Sequence, residues 1–251
     1  MKKRSFFCFQ PQKETSLVLG ALIVLTLINA LANLFTGGLP YFLLYQGLFG
    51  IGVCVFFPLY YTVILKGETL EEIGLTTRKW LTAGLVALPF IALSIGGQLT
   101  KVVAWPTIDN MIYIGMGLIA STLFEEVFFR GFLQTRFEKA FGIIPAILIS
   151  GAAFSFYHLG YPKFRNPEML IVLFLVGTFF AISFSITRNV ITSYLVNLPN
   201  AILTFFLKPT MLPEIHLDAA VVSIVAFTIS IGVIMMIGKK KTIPMIKIAH
   251  R

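Results

Sequence analysis

The 251-residue chain is 57% hydrophobic and only 12% charged, with a formal net charge of +9 and a mean hydropathy of +0.88. That composition excludes a soluble domain of this length and describes a polytopic membrane protein. The excess positive charge is read as topology and contact with anionic lipid, and no nucleic-acid partner is expected.

Crossing a hydrocarbon core of about 30 Å takes roughly 20 helical residues. Apolar runs of that order recur eight times, at about 16–35, 41–65, 80–99, 111–129, 143–160, 169–186, 190–207 and 219–237. None alternates as a barrel strand does, so the expected fold is an all-α membrane bundle of about eight transmembrane helices. The cations divide unevenly between the two faces. Lys2, Lys3, Arg4, Lys13, Lys66, Arg78, Lys79, Arg130, Arg136, Lys139, Arg188, Lys239, Lys240, Lys241, Lys247 and Arg251 fall on one side, and Lys101, Lys163, Arg165 and Lys208 on the other. The positive-inside rule makes the first side cytoplasmic, together with both termini. The first run is read as a retained helix rather than a signal peptide. With Cys8 in the tail and Cys54 inside a span, no disulfide is expected.

No internal repeat or linker interrupts the chain, so residues 1–251 are read as a single membrane domain. In the connection "KGETLEEIGLTTRK", Thr69 is placed to cap a short turn carrying Glu71 and Glu72. The fourth run continues into "RGFLQTRFEKAFG", whose polar residues recur at helical spacing, and the helix is expected to extend to a turn at Gly142 and Pro145.

The fourth run also contains "STLFEEVFFRGF", residues 121–132, with three charges in an apolar helix. Each costs roughly 2.5–3.5 kcal/mol at mid-membrane on insertion scales. Glu126 and Arg130 stand at i and i+4 and can pair. Glu125 lies about 100° around the helix and needs a donor from elsewhere. If the fourth and fifth helices form a hairpin turning near Phe141 and Gly142, Glu125 and His158 are equidistant from the turn and share a depth. His158 is the only histidine within a span, since His216 falls in a loop and His250 in the tail, and Phe154 is placed to pack on its ring. In the seventh run, Ser193, Asn197 and Asn200 share a face, and Pro199 would free a backbone carbonyl there.

A carboxylate, an imidazole and an amide converging in an apolar bundle can activate water for peptide hydrolysis. Glu125 would be the general base, His158 would orient the water or return a proton, and Asn197 or Asn200 would donate to the oxyanion. The same residues also admit structural readings. Glu126 and Arg130 can serve as a helix-fixing ion pair, Glu125 as an interfacial carboxylate, and His158, Asn197 and Asn200 as interhelical hydrogen-bonding groups. A transporter is a weaker alternative, because no repeat or pair of broken helices is present.

"EEVFFRGFL" resembles the EExxxR signature of the CAAX protease and bacteriocin-processing (Abi) family of intramembrane proteases, through Glu125, Glu126 and Arg130. "FSFYH" is similar to that family's FxxxH element through Phe154 and His158, and "TLEEIGL" is similar to the segment preceding its core. The resemblance covers about residues 69–201. It implies eight membrane helices around a cavity open to the cytosol, a multi-pass protein of a bacterial cell membrane, and a peptide or membrane-protein substrate cut near the cytosolic interface. It also implies that the first glutamate and the histidine position the attacking water while a later amide stabilises the oxyanion. One departure stands out: the family's third motif, HxxxN, aligns with Asn197 and Ala201. An amide cannot carry a proton at neutral pH and is a poor zinc ligand. No cofactor is therefore expected, with zinc left open, and a catalytically impaired, regulatory or binding membrane protein is the alternative reading.

Overall fold

The computed structural model describes residues 5–35, 37–99, 108–207 and 217–239. Lys2, Lys3, Arg4, Lys101, Lys208, His216, Lys240, Lys241, Lys247, His250 and Arg251 lie outside the described residues, as does the Lys239 side chain. Among the described residues there are eight long helices: α1 (Lys13–Ala32), α2 (Gly38–Leu65), α3 (Trp80–Leu99), α4 (108–141), α5 (Ile143–Tyr157), α6 (Pro167–Thr187), α7 (Val190–Leu207) and α8 (Leu217–Lys239). There is no strand among the described residues. By length and composition α1, α2, α6, α5 extended to Gly160, and the Val221–Gly238 part of α8 are long and apolar enough to cross a membrane. α3 and α7 contribute shorter apolar stretches, Trp80–Gly96 and Val190–Thr204, and α4 carries the intramembrane charges.

Two faces of chemistry organise the bundle. Leu27, Leu85, Leu93, Ile171 and Met236 point outward and are exposed, as expected of side chains that meet lipid rather than water. Inside, Phe49, Phe124, Phe128, Phe129, Phe132, Phe180 and Phe184 are fully buried. Because lipid is as apolar as this core, close packing rather than water exclusion holds the helices together. The α5–α6 crossing illustrates the requirement. A Cβ at Gly177 would stand 2.8 Å from Phe154 Cβ and 3.1 Å from Gly151 Cα, so only glycine permits that approach.

The α4–α5 hairpin turns where the sequence places it. Gly142 adopts φ 91°, a conformation that favours glycine, and its N–H closes α4 on Glu138 O at 3.0 Å. The N-terminal segment lies along this turn, with Cys8 N donating to Phe141 O at 2.9 Å and Gln10 N to Ala140 O at 2.7 Å. Glu71 and Glu72 ride the 3₁₀ turn Leu70–Ile73, but Thr69 makes no side-chain cap.

At the hairpin end, predicted cytoplasmic cations meet acidic partners in one ionic layer. Buried Arg136 reaches Glu68 Oε2 at 2.7 Å and Glu14 Oε2 at 3.4 Å. Lys66 also pairs with Glu14. Lys139 lies 3.0 Å from Glu68 Oε1, and Arg188 pairs with Glu138. Burial pushes the Glu68 carboxyl up, but its hydrogen bonds to Arg136 and Lys139 outweigh that and hold it below the ordinary glutamate value of 4.5.

Two outcomes follow from these contacts. Gly177→Val should separate α5 from α6 at a cost of about 1–3 kcal/mol, read as a lower Tm in detergent. Because the folded-state Glu68 titrates below its unfolded value, its contribution is complete above pH 4.5 and is lost as the pH falls through the depressed folded value. Acid-induced loss of Tm below that point should therefore be shallower in Glu68→Gln than in the wild-type protein.

Candidate active site

The site is built on α4, where regular i→i+4 hydrogen bonding ends at Glu125 and the helix widens to π-type bonding over Glu126–Gln134. Such widening often accompanies functional sites because it rotates side chains out of α-helical register. Here it brings both carboxylates toward α7. Asn197 Nδ2 donates to Glu126 Oε1 at 2.9 Å and to Glu125 Oε2 at 3.3 Å. The helical-face expectation had separated Glu125 from the Glu126 pair; one amide joins them instead.

Glu126 and Arg130 pair as their spacing predicts, through Arg130 Nε and Glu126 Oε2 at 3.6 Å, both side chains wholly buried. This is an ion pair without a hydrogen bond, and Arg130 Nε and Nη2 have no hydrogen-bond partner among the described residues. The guanidinium finds other support. Nη1 donates to Ser150 Oγ at 2.5 Å, and the cation lies over Phe154 at 5.3 Å, Phe180 at 5.9 Å and Phe129 at 6.0 Å from the ring centroids. Arg130 thereby links α4 to α5 and α6. Four residues on, Gln134 Nε2 repeats the link to α6, donating to Ser185 Oγ at 2.8 Å and Ala181 O at 3.0 Å.

Glu125 is half-buried, so of the two carboxylates it is the one within reach of a substrate or water. Its second donor comes from the end of α5, at the depth that hairpin symmetry predicts, but from the neighbouring residue: Tyr157 donates its hydroxyl to Glu125 Oε1. The His158 ring lies tilted against that tyrosine, with centroids 4.1 Å apart and planes 55° from parallel, and Phe154 packs on it at 4.7 Å as the sequence leads one to expect. His158 Nδ1 lies 2.7 Å from Phe154 O. A carbonyl only accepts, so Nδ1 carries the proton and Nε2 is left as the acceptor.

Asn200 stands apart from this group. Its Oδ1 accepts from Ser94 Oγ at 3.0 Å and Gln98 Nε2 at 2.5 Å, fastening α7 to α3. The physical reason is angular: three residues beyond Asn197, the helix has turned about 300°, enough to face a different neighbour. α7 runs through Pro199 without a break. Among the described residues, no group of three or more His, Cys, Asp and Glu side chains gathers as a metal site.

Along the helix axes the group stands apart from the ionic layer. Glu125 precedes Arg136 of the ionic layer by eleven residues, about 16 Å of helix. His158 closes α5 at the far end from Gly142, and its ring meets Phe164 at 5.3 Å, beside exposed Pro162 and Lys163. The group therefore lies away from the ionic layer, toward the end of α5 opposite Gly142.

Removing Arg130 strands a buried carboxylate. Arg130→Met should cost about 3–5 kcal/mol, and Glu126→Gln in the same chain should recover part of it, read by Tm in detergent.

Of the residues picked out in the sequence, Glu125, Glu126, Arg130 and Asn197 thus come together, His158 stands at their edge, and Asn200 does not join them. Tyr157, which spacing arguments overlooked, occupies a variable position inside the histidine motif. Among curated proteins, no relative matches the chain. Residues 107–203, which contain every one of these groups, match the family model described as Type II CAAX prenyl endopeptidase Rce1-like. That segment relates this multi-pass membrane protein to the CAAX protease family that its charged motif resembles.

Proposed function

We propose that the protein is an intramembrane endopeptidase of the CAAX-processing type, hydrolysing a peptide or membrane-anchored substrate with a water activated by Glu125. The observation that carries this reading is the arrangement of Glu125, a half-buried carboxylate held from both sides by neutral donors, one of which, Tyr157, packs against a histidine whose Nε2 is the acceptor nitrogen. The family match supports the reaction class.

In this reading Glu125 takes a proton from water as the water oxygen bonds to the scissile carbonyl carbon. His158 Nε2 accepts from the same water and aligns it. As the C–N bond breaks, the proton held on Glu125 passes to the departing amine. Asn197 has two N–H groups, both directed at carboxylates. The longer bond, to Glu125 Oε2 at 3.3 Å, weakens when Glu125 is protonated, which releases that donor to the oxyanion. Glu126 and Arg130 hold α4 in place beside the reacting groups. The substrate is a prenylated CAAX segment, a bacteriocin or pheromone precursor, or a membrane regulator.

A second reading is favoured by one observation. Asn197 occupies the position of the family's third-motif histidine and binds both glutamates, an arrangement that also suits a catalytically impaired binding or regulatory protein.

Glu125→Ala and His158→Ala should each lower peptide processing by roughly 100-fold or more while membrane expression persists. The measurement is a comparison of peptides accumulating in cells that carry wild-type or variant protein, followed by cleavage with purified protein. Undiminished cleavage by purified Glu125→Ala removes the endopeptidase reading. Partner capture that survives Glu125→Ala, without cleavage by either form, supports the binding protein.

A further inference from the structure

We infer that Tyr157 is a positioning residue for the Glu125 base, its hydroxyl holding the carboxylate in the orientation that accepts the water proton. The inference rests on the endopeptidase reading above. Three observations lead to it.

The first is what surrounds Glu125. Its two oxygens are held by two donors from different helices, the Tyr157 hydroxyl on Oε1 and the Asn197 amide on Oε2. Of the two, the Asn197 amide is shared with Glu126, whereas the Tyr157 hydroxyl is directed at Glu125 alone. The second is how firmly the ring is placed without its hydroxyl. Tyr157 is wholly buried, packs on Phe129, Phe154 and Phe49 with centroids 4.9, 5.5 and 6.1 Å away, and its backbone carbonyl accepts from Asn29 Nδ2 of α1 at 3.3 Å. Packing therefore sets the ring, and the hydroxyl is left with Glu125 as its partner. The third is the position of Asn197, where the resembling family carries a histidine.

An ionised carboxylate only accepts, so the Tyr157 O–H must point at Glu125 Oε1 while the base is competent. That bond fixes the plane of the carboxylate and leaves its remaining lone pairs for the attacking water. The water proton moves to Glu125 and later to the leaving amine; the Tyr157 proton is not consumed, and the hydroxyl continues to hold the protonated acid in place between the two transfers. His158, adjacent in sequence and tilted against the same ring, is held in register by the same packing.

The test uses full-length protein in proteoliposomes and internally quenched peptides of two kinds, one farnesylated with a CAAX end and one unmodified and apolar. Tyr157→Phe keeps the ring contacts and removes only the hydroxyl. A hydrogen bond to a charged group contributes about 1.5–3 kcal/mol, so kcat should fall roughly 10- to 100-fold, with KM nearly unchanged. The acidic limb of the pH–rate profile should move to higher pH, because the ionised base has lost a donor. A merely structural role would lower Tm and leave that limb in place. Wild-type cleavage with unchanged kcat and pH profile in Tyr157→Phe overturns this inference alone. Absence of wild-type cleavage on both peptides, with no difference from Glu125→Gln, overturns the endopeptidase reading and this inference with it. If Tyr157→Phe does not accumulate folded, Tyr157→His, which retains a ring donor, is compared with Tyr157→Leu: higher activity in the histidine variant supports the inference, and equal activity overturns it.

Discussion

Asn197 Nδ2 lies 2.9 Å from Glu126 and 3.3 Å from Glu125, so one neutral amide on α7 bridges two adjacent carboxylates on α4. Two like charges at neighbouring positions in an apolar bundle repel one another with little solvent to screen them. The site exists because each carboxylate also has a second partner: Arg130 for Glu126 and Tyr157 for Glu125. These partners arrive from different directions, the first along α4 itself and the second from α5. The polar centre thereby ties α4, α5 and α7 into one unit.

The remaining features of the bundle protect that centre or hold it in register. Three phenylalanine rings enclose the Arg130 guanidinium and compensate part of its burial by cation–π attraction. The glycine approach between α5 and α6 lets Phe154 and Phe180 close over it. At the other end, the ionic layer around Arg136 and Glu68 closes the hairpin turn and places its charges far from the Glu125–Glu126 pair. The carboxylate pair and the ionic layer are separated along the length of α4, and the widened stretch Glu126–Gln134 begins at the pair and runs toward the layer. In that stretch the helix exchanges regular hydrogen bonding for side-chain directions that reach α5, α6 and α7 together.

Much of this was legible in the residues. The eight apolar runs correspond to the eight helices because lipid and helix geometry together demand long, continuous apolar stretches. Gly142 marks the hairpin because its positive φ and the adjacent backbone of the N-terminal segment exclude a side chain. The Glu126–Arg130 pair follows from its spacing within one helix, and the packing of Phe154 on His158 follows for the same reason. What failed were inferences that assumed ideal α-helical angles or an accuracy finer than one residue between helices. The joining of Glu125 to Glu126 by Asn197, the choice of Tyr157 over its neighbour His158, and the turning of Asn200 toward Ser94 and Gln98 all belong to that class.

Sequence by itself determined the class of the protein, the number of helices, the depth shared by Glu125 and the end of α5, and the identity of the charged motif. These are one-dimensional properties: composition, periodicity and distance from a turn. Tertiary structure decided which oxygen meets which donor and which neighbouring helix each polar side chain faces. Those outcomes depend on helix rotation, on the local widening of α4 and on the tilt with which α7 crosses it. A rotation of a few tens of degrees exchanges one hydrogen-bonding partner for another without leaving a trace in the order of residues.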